Sequence, residues 1–378
     1  MKNNKWLKKI LPAAVVLGMS AQAGAAITLY EADETSFSVD GLLNTFLVSS
    51  ETDDLVADTT TKQSRVMMGF LPNYIGFNYA KQAGDLKLGA RSSFWVTIND
   101  SDWVRSSSAS HGGTDTGIDV RQFYATVGSS WGEVLIGKDF ALFNRSNILG
   151  DEMLLGYGQT HTVTADAANV SFGNIGAGYL YPFPVSQVTY RSPKTSGFQI
   201  ALGLMDPNKS SADSEESSPR IEAEVTYDGE FDGGSYKGWL GGMTQESEDN
   251  VADTQTDSNG VSFGANVKFA GLSLTASGFD ASGVGAAGLG NTITGDDADV
   301  KGHLLQGSYS FGNERLVLSY GENKGGSTPG ASDLDLENSA VAWFHKVNDN
   351  FQLVAEYDKA ESSTKEVSSV ALGAVLSY

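Results

Sequence analysis

Few residues in this chain have the type and spacing that chemistry requires. Gly283, Gly285 and Gly288 satisfy G-x-G-x-x-G, but that pattern cradles a pyrophosphate only where a strand turns into a helix. No such context surrounds it, and it reads as an external loop. His111, His161, His303 and His345 show no H-E-x-x-H and no paired metal spacing. The sequence has no cysteine, so a disulfide framework, a thiolate metal site, a Cys nucleophile and thiol redox chemistry are all excluded. What remains is charge. Glu246, Glu248, Asp249, Asp253 and Asp257 form one acid-rich stretch, and Asp296, Asp297 and Asp299 another. Both read as solvated loops, with divalent-cation binding as the alternative. No catalytic residue, cofactor site or metal site emerges.

The 378 residues carry 25 Lys+Arg against 46 Asp+Glu, a formal net charge of −21. A nucleic-acid partner is excluded, because no surplus of cations exists to replace phosphate counterions. Glycine is abundant at 44 residues and proline scarce at 8, a balance suited to long, bent strands.

Lys2, Lys5, Lys8 and Lys9 precede an apolar stretch from Ile10 to Ser20 and the small residues Ala21-Gln22-Ala23-Gly24-Ala25-Ala26. This order is that of a secretory signal peptide over residues 1–25, which leaves a domain over 26–378. The apolar stretch is too short to span a bilayer as a helix, and no later segment is long enough. An exported chain of this kind is periplasmic, secreted or a membrane β-barrel.

Periodicity chooses among these. Leu86, Leu88, Ala90, Ser92, Phe94, Val96 and Ile98 share one face, with Lys87, Gly89, Arg91, Ser93, Trp95, Thr97 and Asn99 on the other. A period of two is a strand, and its length suits a tilted membrane strand better than a soluble one. Comparable stretches recur to the last residue. They predict sixteen strands, near residues 35–48, 64–81, 86–99, 117–128, 133–138, 182–191, 198–205, 219–229, 234–245, 259–270, 272–281, 299–311, 314–322, 335–347, 351–360 and 366–378. Gaps alternate between short turns and longer loops, among them 49–63, 246–258 and, longest of all, 139–181. The expected fold is all-β, a transmembrane antiparallel β-barrel with both termini on the short-turn side. The physical reason is that an unpaired sheet edge in hydrocarbon costs several kcal/mol per group, so the sheet must close. A soluble repeat would need internal repeats, which are absent, and a sandwich would need shorter strands. Aromatics near predicted strand ends, such as Tyr74, Phe77, Tyr79, Trp343, Phe344 and Tyr357, suit interfacial girdles.

Specific stretches carry a resemblance. Arg121-Gln122-Phe123-Tyr124-Ala125-Thr126-Val127-Gly128, then Trp131-Gly132-Glu133-Val134-Leu135-Ile136-Gly137-Lys138, resembles the strand, turn and strand that lead into the constriction loop of the Gram-negative general porins. Lys138 stands where that family usually has Arg. Val188-Thr189-Tyr190-Arg191-Ser192-Pro193 with Gly197-Phe198, the opening Thr28-Leu29-Tyr30 and Ser64-Arg65 also resemble family segments. Gly373, Leu376 and Tyr378 resemble the C-terminal signal read by the barrel-insertion machinery, with Tyr where the family more often ends in Phe.

The resemblance implies a homotrimer of sixteen-stranded diffusion channels in the outer membrane, in contact with lipid and lipopolysaccharide. Residues 139–181 would fold into the lumen as the constriction loop. Asp139, Asp151 and Glu152 would then face Arg65, Arg91, Arg121 and Lys138 across a narrow waist, a transverse field that orders polar solutes. The implied function is passive diffusion of small hydrophilic solutes and ions, with a mild cation preference from overall acidity. The alternatives are a substrate-specific channel, for which Trp95 is the one clearly lumenal aromatic, and a barrel enzyme such as a phospholipase, whose Ser-His pattern is absent.

Overall fold

The computed structural model describes residues 26–99, 118–159, 170–285, 298–325 and 335–378. Residues 1–25 and the loop positions His111, His161, Asp296 and Asp297 lie outside them. The strands are β1 (Ile27–Ala32), β2 (Thr35–Asp54), β3 (Thr59–Met67), β4 (Asn73–Ala83), β5 (Leu86–Val96), β6 (Asp119–Ser129), β7 (Gly132–Phe140), β8 (Pro184–Arg191), β9 (Phe198–Met205) and β10 (Ser214–Glu215). They continue as β11 (Arg220–Phe231), β12 (Gly234–Asp249), β13 (Thr254–Phe269), β14 (Leu272–Ser282), β15 (Asp299–Phe311), β16 (Glu314–Gly325), β17 (Leu336–Lys346), β18 (Phe351–Ser362) and β19 (Lys365–Ser377). All pairings between them are antiparallel, each wall strand follows its neighbour in order, and β19 closes on β2.

The nineteen segments make sixteen wall positions. β3 and β4 share one, since both lie along β2, and β10 is a two-residue stub beside β12. β1 and β19 share another: β19 runs down β2 as far as Leu42, and β1 takes over from Val39. The chain ends on the short-turn side: Ser377 N–H donates to Asn350 C=O in the turn between β17 and β18 at 2.8 Å, and Tyr378 exchanges backbone bonds with Gly41 at 2.8 and 3.0 Å.

Three expectations are corrected. β1 was not anticipated. Residues 49–63 and 246–258 are not open loops but tall hairpins, because β2 and β12 run on to Asp54 and Asp249 and the return strands start at Thr59 and Thr254. The stretch 64–81 is interrupted between Met67 and Asn73, where Pro72 cannot donate to a ladder. Three asparagines replace the missing bonds there. Asn44 accepts Gly69 N–H at 2.6 Å and donates to Leu71 C=O at 2.7 Å, Asn73 accepts Asn44 N–H at 2.6 Å, and Asn99 accepts Met68 N–H at 2.7 Å.

The wall has two faces. Leu318 is 66% exposed, Phe123 60% and Leu47 58% on the outside, whereas alternate positions such as Asn44, Gln122, Glu222, Gln306 and Ser369 are buried inside. In water that order would be inverted; in hydrocarbon it is the favourable one. Near the short turns, exposed rings pair up: Trp131 with Tyr190, Phe198 with Tyr227, Phe231 with Phe269, Tyr309 with Phe311, as an interfacial girdle requires. Turns such as Ala270-Gly271, with φ of 49° and 85°, have the two positive φ values that a two-residue hairpin turn demands.

Candidate functional site

Inside the wall, the segment between β7 and β8 is fastened to strands far from either. Leu142 and Phe143 N–H groups donate to Glu222 Oε2 on β11 at 2.6 and 2.8 Å. Asn147, in the one-turn helix Arg145–Leu149, accepts Trp239 Nε1–H of β12 at 2.7 Å and donates to Gly278 C=O of β14 at 3.1 Å. Tyr157 and Gly158 N–H groups donate to the two oxygens of Glu356 on β18 at 2.8 and 2.6 Å. Gly178 N–H reaches Asn323 on β16 at 2.8 Å, and Asn338 on β17 donates to Asn174 at 2.9 Å. The segment thus meets the inner face of β11 to β18. A closely spaced acid on a strand's inward parity, as with Glu222 or Glu356, is the signal that could have found these anchors.

Asp151 and Glu152 belong to the same fastening. Asp151 accepts Met153 N–H, Gln306 Nε2–H, Asn174 Nδ2–H and Tyr179 O–H at 2.7 to 3.0 Å. Burial and this carboxylate push the Tyr179 phenol well above its ordinary range. Glu152 accepts from Ser273, Ser308 and Arg315, the last at 3.1 Å, and Arg315 also donates to its backbone carbonyl at 2.9 Å. Arg315 lies 4.2 Å from the Phe344 ring centroid. The two acids' hydrogen bonds go to these partners, and Arg91 and Arg121 are not among them. Their cation is Arg315, which the sequence reading missed.

On the opposite wall, Arg91 is bound by Asp40 through both arms, Nη1 to Oδ1 at 2.8 Å and Nη2 to Oδ2 at 3.1 Å. Its Nη1 also donates to Asn78 at 2.6 Å and its Nε to Gln122 Oε1 at 2.8 Å. Gln122 passes the chain on to Asp139 at 2.9 Å, and Asp139 pairs with Arg145 at 3.3 Å. Asp40, Gln122 and Arg145 were not anticipated. Arg121 donates to Asp119 at 2.7 Å and to Tyr181 O–H at 2.9 Å, with its guanidinium 5.0 Å from the Trp95 ring. That Arg121 and its neighbour Gln122 both reach inward contacts follows from a register shift. Ser93 pairs with Gln122 but Trp95 with Asp119, so two residues of β6 oppose Phe94, the count that defines a bulge.

Other expected residues stand apart. Lys138 shares the parity of Ile136 and lies opposite the outward Phe123, away from the Arg91 and Asp139 network. Arg65 is buried on β3, opposite Val48. Gly373 lies under the Phe46 ring, where a Cβ would collide with it. Leu376 faces outward, and the Tyr378 ring covers Gly41. Trp95 is also not the sole inner aromatic. Phe46, Tyr74, Tyr124, Trp239 and Phe344 are buried with it, packing on the wall and on the fastened segment rather than forming an open ladder. His303 lies beside Glu322 and His345 beside Glu314, and no cluster of three or more metal-ligating side chains occurs among the described residues.

Solved structures share this wall. The outer membrane channel DcaP of Acinetobacter baumannii aligns with a TM-score of 0.67 at 16% identity, covering 93% of this chain and 100% of that one. The anion-selective porin from Comamonas acidovorans gives 0.66 at 14%, covering 91% and 100%. Salmonella typhi OmpF, in complex with daunomycin, gives 0.58 at 13%, covering 93% and 100%. At these identities the likeness is one of fold. No curated protein matches in sequence. A family profile described as Gram-negative porin, however, matches residues 13–365. With a closed sixteen-position wall, oily outside and polar inside, the chain belongs to the Gram-negative porin family and forms an outer-membrane channel.

Proposed function

We propose that this channel carries out passive diffusion of small hydrophilic solutes and ions, with residues 139–181 as its constriction. The observation that carries the reading is the fastening of that segment to the inner face of β11 to β18. It draws the chain off the β7 rim and across the interior, and it narrows the water path to the strip beside Arg91, Gln122 and Arg121. Asp139 at the segment's entry and Arg65 on β3 are buried and act on that strip through their charge rather than by lining it. Asp151 and Glu152 act as anchors that fix its width. Lys138 contributes at most a distant field. Liposomes holding the protein should swell with sugars of graded size up to a sharp limit, and swelling indifferent to size would contradict a constriction.

The excess of acids over bases favours cations near the mouths, while charges beyond a Debye length of about 8 Å are screened at physiological salt. A mild cation preference is the expected result, read as the sign of the reversal potential in a salt gradient. Removal of residues 1–25 on export, assembly as a homotrimer, contacts with lipopolysaccharide, and recognition of Gly373, Leu376 and Tyr378 by the insertion machinery complete the proposal. Crosslinking in membranes tests the trimer. The substrate-specific reading gains from one observation, an aromatic cavity beside Arg121.

A further inference from the structure

Between the fastened segment and the wall of β3 to β6 lies a cavity of about 220 Å³. Phe70, Trp95, Phe140, Phe172, Tyr181 and Phe183 line it, together with aliphatic side chains such as Ile175. A space of about 150 Å³ with such a lining stays dry and accepts a benzene ring, so this one has room for a ring and one small polar substituent. Its charged lining is of a single sign: Arg121 and Arg145 border it, and no carboxylate does among the described residues. Each guanidinium is held from elsewhere, Arg121 by Asp119 at 2.7 Å and Arg145 by Asp139 at 3.3 Å. Those acids orient the arginines without lining the space. Arg121 is further fixed by its bond to Tyr181 O–H and by the Trp95 ring, so little side-chain freedom remains to be lost on binding.

A purely hydrophilic path has no use for such a surface. We propose that this cavity is a solute subsite for small aromatic carboxylates, the ring lying among the aromatic side chains and the carboxylate meeting Arg121. The inference rests on the channel reading of the same interior and names a solute class for it. A planar guanidinium suits a planar carboxylate, and the buried ring supplies the hydrophobic contribution that a small inorganic anion lacks.

The test uses the wild-type barrel and benzoate as the probe, against acetate, which keeps the charge, and benzamide, which keeps the ring. Single-channel recordings should show brief current blocks by benzoate with an apparent Kd on the order of 1 mM, and block at least about tenfold weaker for either control. Arg121→Gln should weaken the benzoate block about tenfold, and Ile175→Trp, which fills the cavity, should abolish it. Should Ile175→Trp fail to fold, titration calorimetry of the detergent-solubilised wild type with the three compounds decides alone. Benzoate binding no tighter than acetate or benzamide, or block that survives Ile175→Trp, overturns the subsite while leaving the channel intact. A barrel that binds benzoate yet passes no current overturns the channel reading instead.

Discussion

Glu152 and Arg315 are joined twice, carboxylate to guanidinium at 3.1 Å and backbone carbonyl to the same nitrogen at 2.9 Å. One comes from the segment that leaves β7, the other from β16 on the far wall, so their union holds the segment across the interior. Both side chains are largely withdrawn from water, at 13% and 17% exposure. Severing either partner leaves the other unpaired, at a cost of about 3 kcal/mol. Glu152→Gln and Arg315→Gln should each raise open-channel noise and enlarge the size limit for sugars, and the double substitution should do little more than either alone. Additive effects in that cycle would show that the two residues act separately.

The second prediction concerns Arg91 and Asp40, whose bidentate contact lies beside the proposed water path. Asp40→Asn removes the charge that holds the guanidinium and leaves a cation facing the lumen. Conductance should stay within about twofold, while reversal potentials should move toward anions. Thermal stability of the folded barrel should also fall. A selectivity unchanged by Asp40→Asn would place this pair off the ion path.

A third prediction tests the interruption between β3 and β4. Asn44→Ala strands Gly69 N–H and Leu71 C=O in a buried site, a penalty of about 3 kcal/mol for the two groups. Asn44→Asp keeps an acceptor for Gly69 but sets a carboxylate oxygen against Leu71 C=O in a buried site, so it should cost at least as much. Urea unfolding in detergent measures both. A cost below about 1 kcal/mol for either would mean that the asparagine bridges do not carry this junction.

The fourth lies at the seam. A Cβ on Gly41 would sit 2.5 Å from Tyr378 Cζ, so Gly41→Val should displace the terminal ring and lower the yield of folded barrel. Tyr378→Phe keeps the ring and the backbone exchange with Gly41, and it should fold as wild type does. Deleting Tyr378 removes both bonds and should impair closure. Normal assembly of the deletion would refute a role for this contact.

How far the sequence foretold this structure depends on which physics was at stake. The two-residue alternation through Leu86 to Asn99 fixed face and strand together, because burial in lipid and exposure to water sort side chains residue by residue. The sixteen wall positions were legible for that reason. The gap between Met67 and Asn73 was not, since Asn44, Asn73 and Asn99 are distant in sequence and only the fold brings their amides to one place. Hairpins above the membrane, such as Glu248 opposite Gln255, carry polar residues on both faces and so look like loops. Among the charged groups, parity and resemblance pointed to Arg91 and Arg121, but the bulge opposite Phe94 breaks parity locally. Asp151 and Glu152 looked like lumenal charges because nothing in their neighbours announces Gln306, Tyr179 or Arg315 as partners.

The most direct test of the account is the current through one molecule in a planar lipid bilayer. Discrete, ohmic steps are expected, reduced progressively by impermeant sugars small enough to enter and unaffected by larger ones. Insertion without any step, or steps whose size ignores sugars of every radius, would contradict a water-filled path through this barrel.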